Sequence, residues 1–136
     1  MKDIELPASK TLMLKILENN YLVTFPLVGQ FIEIQTLKQS ISRGQYDALS
    51  ASYSSNDDTA RKYIDMITLF TVLIPKLQKD LNTPSLFELD IITMETIYHE
   101  VYLEQFLPWY NEWMLAISKV TDKYYEMKAG SAKPAQ

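Results

Sequence analysis

The stretch Tyr98-His99-Glu100-Val101-Tyr102-Leu103-Glu104-Gln105-Phe106-Leu107-Pro108-Trp109-Tyr110-Asn111-Glu112-Trp113 decides how the chain is read. Aromatic residues recur in it at spacings of three and four, which is the period of a helix and not of a strand. Of the nine Tyr, five Phe and two Trp in the 136 residues, half lie between Tyr98 and Tyr125. Wound as one helix at about 100° per residue, Tyr98, Tyr102, Phe106, Trp109, Trp113, Ile117, Val120 and Tyr124 fall within an arc of about 100°. Leu103, Leu107, Tyr110 and Met114 widen this stripe, while Glu100, Glu104, Glu112, Lys119, Asp122 and Lys123 take the opposite side. An apolar sector approaching half the cylinder is more than one neighbour covers. The helix is therefore expected to touch its own core and a partner.

Upstream, Ser85-Leu86-Phe87-Glu88 fits a capping box, in which serine accepts an amide of the first turn and glutamate reaches back. Thr83-Pro84 offers a rival start, with threonine as N-cap and proline at the first helical position. Pro108 lacks an amide hydrogen, so the element is expected to kink there or to restart as a second helix. Gly130 reads as the helix stop, and residues 131–136 as a flexible tail.

The stretches before it are read by the same rules. Ala8 to Asn19 carries Leu12, Met13, Ile16 and Leu17 at amphipathic spacing, which predicts a helix ending at Asn19-Asn20. Tyr21 to Phe25 is β-branched and aromatic, Pro26 and Gly29 punctuate it, and Phe31-Ile32-Glu33-Ile34 alternates, so a short hairpin or an extended crossing is expected near residues 21–34. A helix follows over Thr36 to Ser42 with Gly44 at its C′ position. Gln45 to Ser55 allows one or two further turns. Ser54-Ser55-Asn56-Asp57-Asp58 then opens a long helix, Thr59 to Leu81, apolar around most of its surface from Ile64 to Leu77 and interrupted at Pro75. The expected fold is all-α: a compact bundle of four to six helices, two of them proline-interrupted, in one domain over residues 1–130.

Composition narrows the function classes. The chain has no cysteine, one histidine and a formal net charge of -4. A disulfide scaffold, a thiolate metal site and a cysteine nucleophile are excluded. Between Asp80 and Ser118 there are seven acids and no lysine or arginine, whereas aromatic stacking on single-stranded nucleic acid needs interleaved cations. No nucleic-acid or membrane partner is expected, and the first residues carry no apolar run of signal-peptide length. His99 lacks a second histidine or an i, i+3 glutamate, so it reads as a structural imidazole. Asp57-Asp58 matches no EF-hand spacing and reads as a solvated helix start. Asp65, inside the apolar pattern, needs a hydrogen-bond partner or a polar edge. No Gly-rich phosphate loop, nucleophile elbow or HExxH motif is present, and neither an enzyme activity nor a cofactor is expected.

Tryptophan and tyrosine dominate binding hot spots, so Trp113, Tyr110 and Trp109 are the first candidates for a protein interface, with core packing the competing use of each. Tyr102, Phe25 and Phe31 complete the candidate set. The segments Leu22-Val23-Thr24-Phe25-Pro26-Leu27-Val28-Gly29-Gln30-Phe31-Ile32-Glu33-Ile34, Leu37-Lys38, Gly44-Gln45-Tyr46 and Pro108-Trp109-Tyr110-Asn111-Glu112-Trp113 resemble small helical proteins encoded among the structural genes of tailed bacteriophages. That resemblance implies a virion component or a head or tail assembly factor, acting through contacts with virion proteins or copies of itself, in the virion or the host cytoplasm. The alternative is a helical adaptor that binds a cellular protein. With this ligand inventory, EDTA should leave the melting temperature unchanged; a lowered one would reveal a structural metal.

Overall fold

The computed structural model describes residues 4–132, the last four of them as backbone only. The chain is predominantly helical, as expected, but it opens on a β-hairpin. Strands β1 (Thr11–Ile16) and β2 (Asn19–Thr24) pair antiparallel, with Leu14 opposite Tyr21 and Leu12 opposite Val23. The helix expected over Ala8 to Asn19 is therefore corrected to β1 and its turn. Leu12, Leu14 and Ile16 also obey a period of two, and that period aligns them with Tyr21 and Val23 on one face. Leu14, Ile16, Tyr21 and Val23 are buried on it. The two-residue turn is Leu17-Glu18, with Leu17 at φ 54. Without a glycine or asparagine at that position, the turn left no mark in the sequence. Asn19 and Asn20 begin β2 instead of ending a helix.

Helix α1 (Val28–Ile41) replaces the strand expected at Phe31 to Ile34. Pro26 ends the pairing, and the Gln30 side chain accepts the Leu27 amide at 2.9 Å, which starts the helix. Ile34, Leu37 and Ile41 then line its inner face, with Ile34 fully buried. The helix closes in a Schellman motif: the Gly44 amide donates to the Gln39 carbonyl and the Arg43 amide to that of Ser40. Arg43, at φ 55, thus holds the C′ position expected for Gly44.

After the short α2 (Tyr46–Ala51), Ser54 caps α3 (Ser55–Leu73), and Ile74 separates it from α4 (Pro75–Asp80). This is the break expected at Pro75. Helix α3 carries the densest run of buried residues, Met66 to Phe70, and the one buried polar member, Thr68, donates its hydroxyl to the Ile64 carbonyl at 2.8 Å. Ser85 caps only a 3-10 turn, Leu86–Glu88. The long element starts later, where the Asp90 carboxylate accepts the Thr93 amide and hydroxyl and caps α5 (Ile91–Ile97).

From Ile91 the backbone runs as one rod to Ala132, passing through Gly130, so the stop expected at that glycine does not occur. Residues 133–136 of the expected tail lie outside the described residues. Between α5 and α6 (Leu107–Ala132) the rod changes its hydrogen bonding: Tyr98–Phe106 is a π-helix, and the Leu107 amide reaches the Tyr102 carbonyl. The widened turns sit just ahead of Pro108, where a proline ring in an α-helix would strike the carbonyl four residues back. Of the two outcomes expected at Pro108, the restart as a separate helix does not occur; the backbone stays helical across the junction, with Leu107 at φ -59, ψ -41.

The π segment also sets the core. Residues four apart in an α-helix overshoot one turn by about 40°, and the wider π turn removes that drift. Tyr98, Tyr102, Phe106 and Tyr110 consequently stack in sequence, with ring centroids 5.5, 5.6 and 5.1 Å apart. Phe70 of α3 meets Tyr102 and Phe106 edge-on at 5.8 and 5.3 Å. It is 1% exposed. Phe70→Ala should cost about 3 to 5 kcal/mol through lost transfer energy and a cavity. Leu73→Ala, at a half-buried position, should cost clearly less; equal urea midpoints for the two variants would contradict this packing.

Candidate functional site

Two features concentrate side chains that chemistry or binding can use. The first is the aromatic junction between the hairpin and α6. Trp109 and Trp113 are one helical turn apart, and both indole N–H groups donate to a single acceptor, the Ser9 carbonyl, at 2.9 and 2.8 Å. Phe25, just past β2, lies 6.0, 5.3 and 5.7 Å from the rings of Trp109, Tyr110 and Trp113. The Lys10 ammonium stands over the Trp113 ring at 5.8 Å. The Gln105 amide completes the docking: it accepts the Lys15 amide at 2.9 Å and donates to the Lys15 carbonyl at 3.0 Å. One side chain of the π-helix thus occupies the open edge of β1 as a neighbouring strand would.

This places the six interface candidates. Trp113 and Tyr102 are buried in the protein's own interior, and Trp109, Tyr110 and Phe25 are half-buried against one another. Phe31 stands apart on α1, 40% exposed, beside the more open Leu27, Val28 and Ile32. The stripe that these aromatics begin does not end with them. Ala116 is its last buried residue, and beyond it Ile117 and Tyr124 are 45% and 56% exposed, with Val120 half-buried between them.

The second feature is a cleft of about 450 Å³ bounded by α1, α3 and the rod. Asp65 of α3 is its organising charge. It accepts from the Tyr46 hydroxyl and from Arg61 at 2.9 Å, and it forms an ion pair with Lys38 of α1 at 3.4 Å. The partner that the sequence required for Asp65 is thus a set of three groups from three helices. Two turns earlier, Asp58 holds Arg61 at 3.1 Å and Lys62 at 2.9 Å. Hydrogen bonds from Lys62 and then Arg61 keep the Asp58 carboxyl below the usual range. Facing these ions are Tyr98, Tyr102 and Tyr110, whose hydroxyls make no hydrogen bond among the described residues. Burial, and then the Asp65 charge, raise Tyr102 and Tyr110 above the ordinary phenol value.

The Asp58-Arg61-Lys62-Asp65 spacing was readable as i, i+3 and i, i+4 pairs on one helix face. Lys38 and the tyrosines arrive only through tertiary packing. His99 is exposed and bonds the Glu95 carboxylate at 2.8 Å, while Glu95 also accepts the Tyr63 hydroxyl. Those two bonds, that from Tyr63 the larger, hold Glu95 below the carboxylate range. Among the described residues no three acids or histidines gather as metal ligands, and no helix is long and apolar enough to cross a membrane. Compared with protein-family models, curated proteins and solved structures, the chain matches none.

The tyrosines set a pH limit. Burial and the Glu95 carboxylate push Tyr63 from 10.0 to about 12, and Tyr21, Tyr46 and Tyr98 shift upward as well. A phenol raised in the folded state contributes stability that is complete below its unfolded value and is lost as pH climbs through the folded one. The urea midpoint should therefore fall between pH 10 and about 12, together with the rise of tyrosinate absorbance. Tyr63→Phe should shallow that fall; an unchanged slope would remove Tyr63 from the effect.

Proposed function

We propose that the protein is a non-enzymatic assembly subunit that binds other proteins through the uncovered half of its aromatic helix. The observation that carries this reading is the continuity of one stripe. Tyr110 and Trp113 pack on the hairpin, while Ile117, Val120 and Tyr124 extend the same spacing of three and four along a part of α6 where Ile117 and Tyr124 are exposed and Val120 is half-buried. Such a seam, flanked by Lys119, Asp122 and Glu126 of mixed sign, is the pattern by which helices pair. Exposed Leu27, Val28 and Ile32 on α1 add a second apolar face.

The setting rests on the resemblance to small structural proteins of tailed bacteriophages: a virion structural component, or an assembly factor of the capsid or tail, whose partners are other virion proteins or copies of the chain. A catalytic role finds no support in the side-chain clusters described above. Mass spectrometry of purified particles tests the setting, with stoichiometric presence expected of a virion subunit and presence in assembly intermediates alone expected of a factor. Absence from both would overturn the reading in favour of a cellular adaptor. Ile117→Asp tests the surface. The variant should melt near the parent, since the site is exposed, and should lose incorporation or co-purification by about 2 kcal/mol or more. Undiminished assembly would remove α6 as the interface.

A further inference from the structure

The cleft around Asp65 is built differently from a packed helix interface. Every fully buried side-chain polar atom among the described residues has a hydrogen-bond partner. Tyr102 is 5% exposed overall, yet its hydroxyl has no such partner. That hydroxyl must therefore be the part of the side chain that reaches the cleft. The same holds for Tyr98, which is 8% exposed. A core helix that needed only apolar packing would carry phenylalanine at these positions, because an unanswered phenol costs desolvation. Both lie on the π-helix, a rare backbone form that recurs at functional sites because it re-aims side chains.

The opposite wall supplies charge. Lys38, Arg61 and Lys62 face two carboxylates, Asp58 and Asp65, which leaves one positive charge in a chain whose net charge is -4. Asp65 is engaged by two hydrogen bonds and an ion pair, and so it fixes the two cations. Lys38 stands over the Tyr46 ring at 5.2 Å and spends one long contact on Asp65, which leaves ammonium hydrogens for the cleft. Phe31, Leu69, Leu107 and Met114 form its apolar lining. The volume, about 450 Å³, falls in the range of small-molecule sites, about 300 to 1,000 Å³.

We propose that this cleft binds an organic monoanion, a carboxylate carried on an apolar body, with Lys38 and the neighbouring Tyr98 and Tyr102 hydroxyls on the carboxylate and Phe31, Leu69 and Met114 around the body. A single negative charge matches the single uncompensated cation, whereas a phosphate dianion would leave a buried charge unanswered. Phenols whose pKa lies above the ordinary value remain protonated near neutrality and so donate to the anion. The site is distinct from the α6 seam beyond Ala116, while its Phe31 adjoins the apolar face of Leu27, Val28 and Ile32.

Isothermal titration of the full chain tests it with three probes: phenylbutyrate, its uncharged amide, and acetate. Saturable binding of phenylbutyrate at millimolar concentration is expected, with the amide and acetate each weaker by about tenfold or more. Tyr102→Phe keeps the ring stack and deletes only the hydroxyl, and Lys38→Met deletes the charge; each should weaken phenylbutyrate by about tenfold while the circular dichroism melt stays near that of the parent. Should Lys38→Met unfold because Arg61 and Tyr46 leave the Asp65 charge underpaired, Tyr102→Phe and Tyr98→Phe still decide. Equal affinity for acid and amide would mark an apolar groove and overturn the proposal. So would unchanged binding in the tyrosine variants, or no saturable binding of phenylbutyrate.

Discussion

Four stacked rings on a widened helix, Tyr98, Tyr102, Phe106 and Tyr110, are the constraint on which the other elements depend. Stacked aromatic pairs contribute about 0.5 to 1.5 kcal/mol each beyond the area they bury, but their larger effect here is geometric. A continuous α-helix would rotate each ring away from the last, and no single neighbour would meet them all. Held in register, they present one ridge, against which α3 sets Phe70 and the hairpin sets Phe25. The same segment carries Gln105 to β1, where it satisfies the edge amide and carbonyl of Lys15. Sheet, buried helix and rod are thus joined through nine residues of π-helix.

Where the sequence was legible, one periodicity dominated. The buried run of α3, its Asp-rich start and its end at Pro75 all follow from apolar spacing and from proline's missing amide. The helical spacing from Tyr98 to Trp113 was equally plain, although its π character was not, because propensity carries no signal for a change from i+4 to i+5 bonding. Misreadings arose where two periods fitted the same residues. Leu12-Met13-Leu14-Lys15-Ile16 suits a helix by its Leu12-to-Ile16 spacing and a strand by its alternation, and pairing with Tyr21 and Val23 decided for the strand. Phe31 to Ile34 posed the reverse ambiguity. The positive φ angles of Leu17, Arg43 and Asn82 gave no warning at the first two, since those residue types do not favour that region.

The candidate surfaces divide in the same way. That the aromatic stripe was too wide for one neighbour could be seen from spacing alone, but not which half the chain covers itself. The hairpin takes Trp109 and Trp113, the residues whose types most suggested an interface, and leaves the plainer Ile117 and Tyr124 exposed. Residue type alone did not separate packing inside the chain from contact with a partner, whereas position along the helix shows which aromatics meet the hairpin. The cleft was visible only in part: Asp65 signalled a need for partners, and the chain drew them from α1, α2 and α3. Contacts between residues 27 positions apart, such as Lys38 with Asp65, leave no trace in local pattern.

Because both tryptophans of the chain donate to the Ser9 carbonyl, its entire indole emission originates from one spot. Fluorescence is here a local gauge of whether the N-terminal segment is seated on α6. Far-ultraviolet circular dichroism, dominated by the helices, reports the rest. Loosening of the hairpin ahead of the helical body would separate the two signals, and coincident curves would show that one cooperative unit includes both.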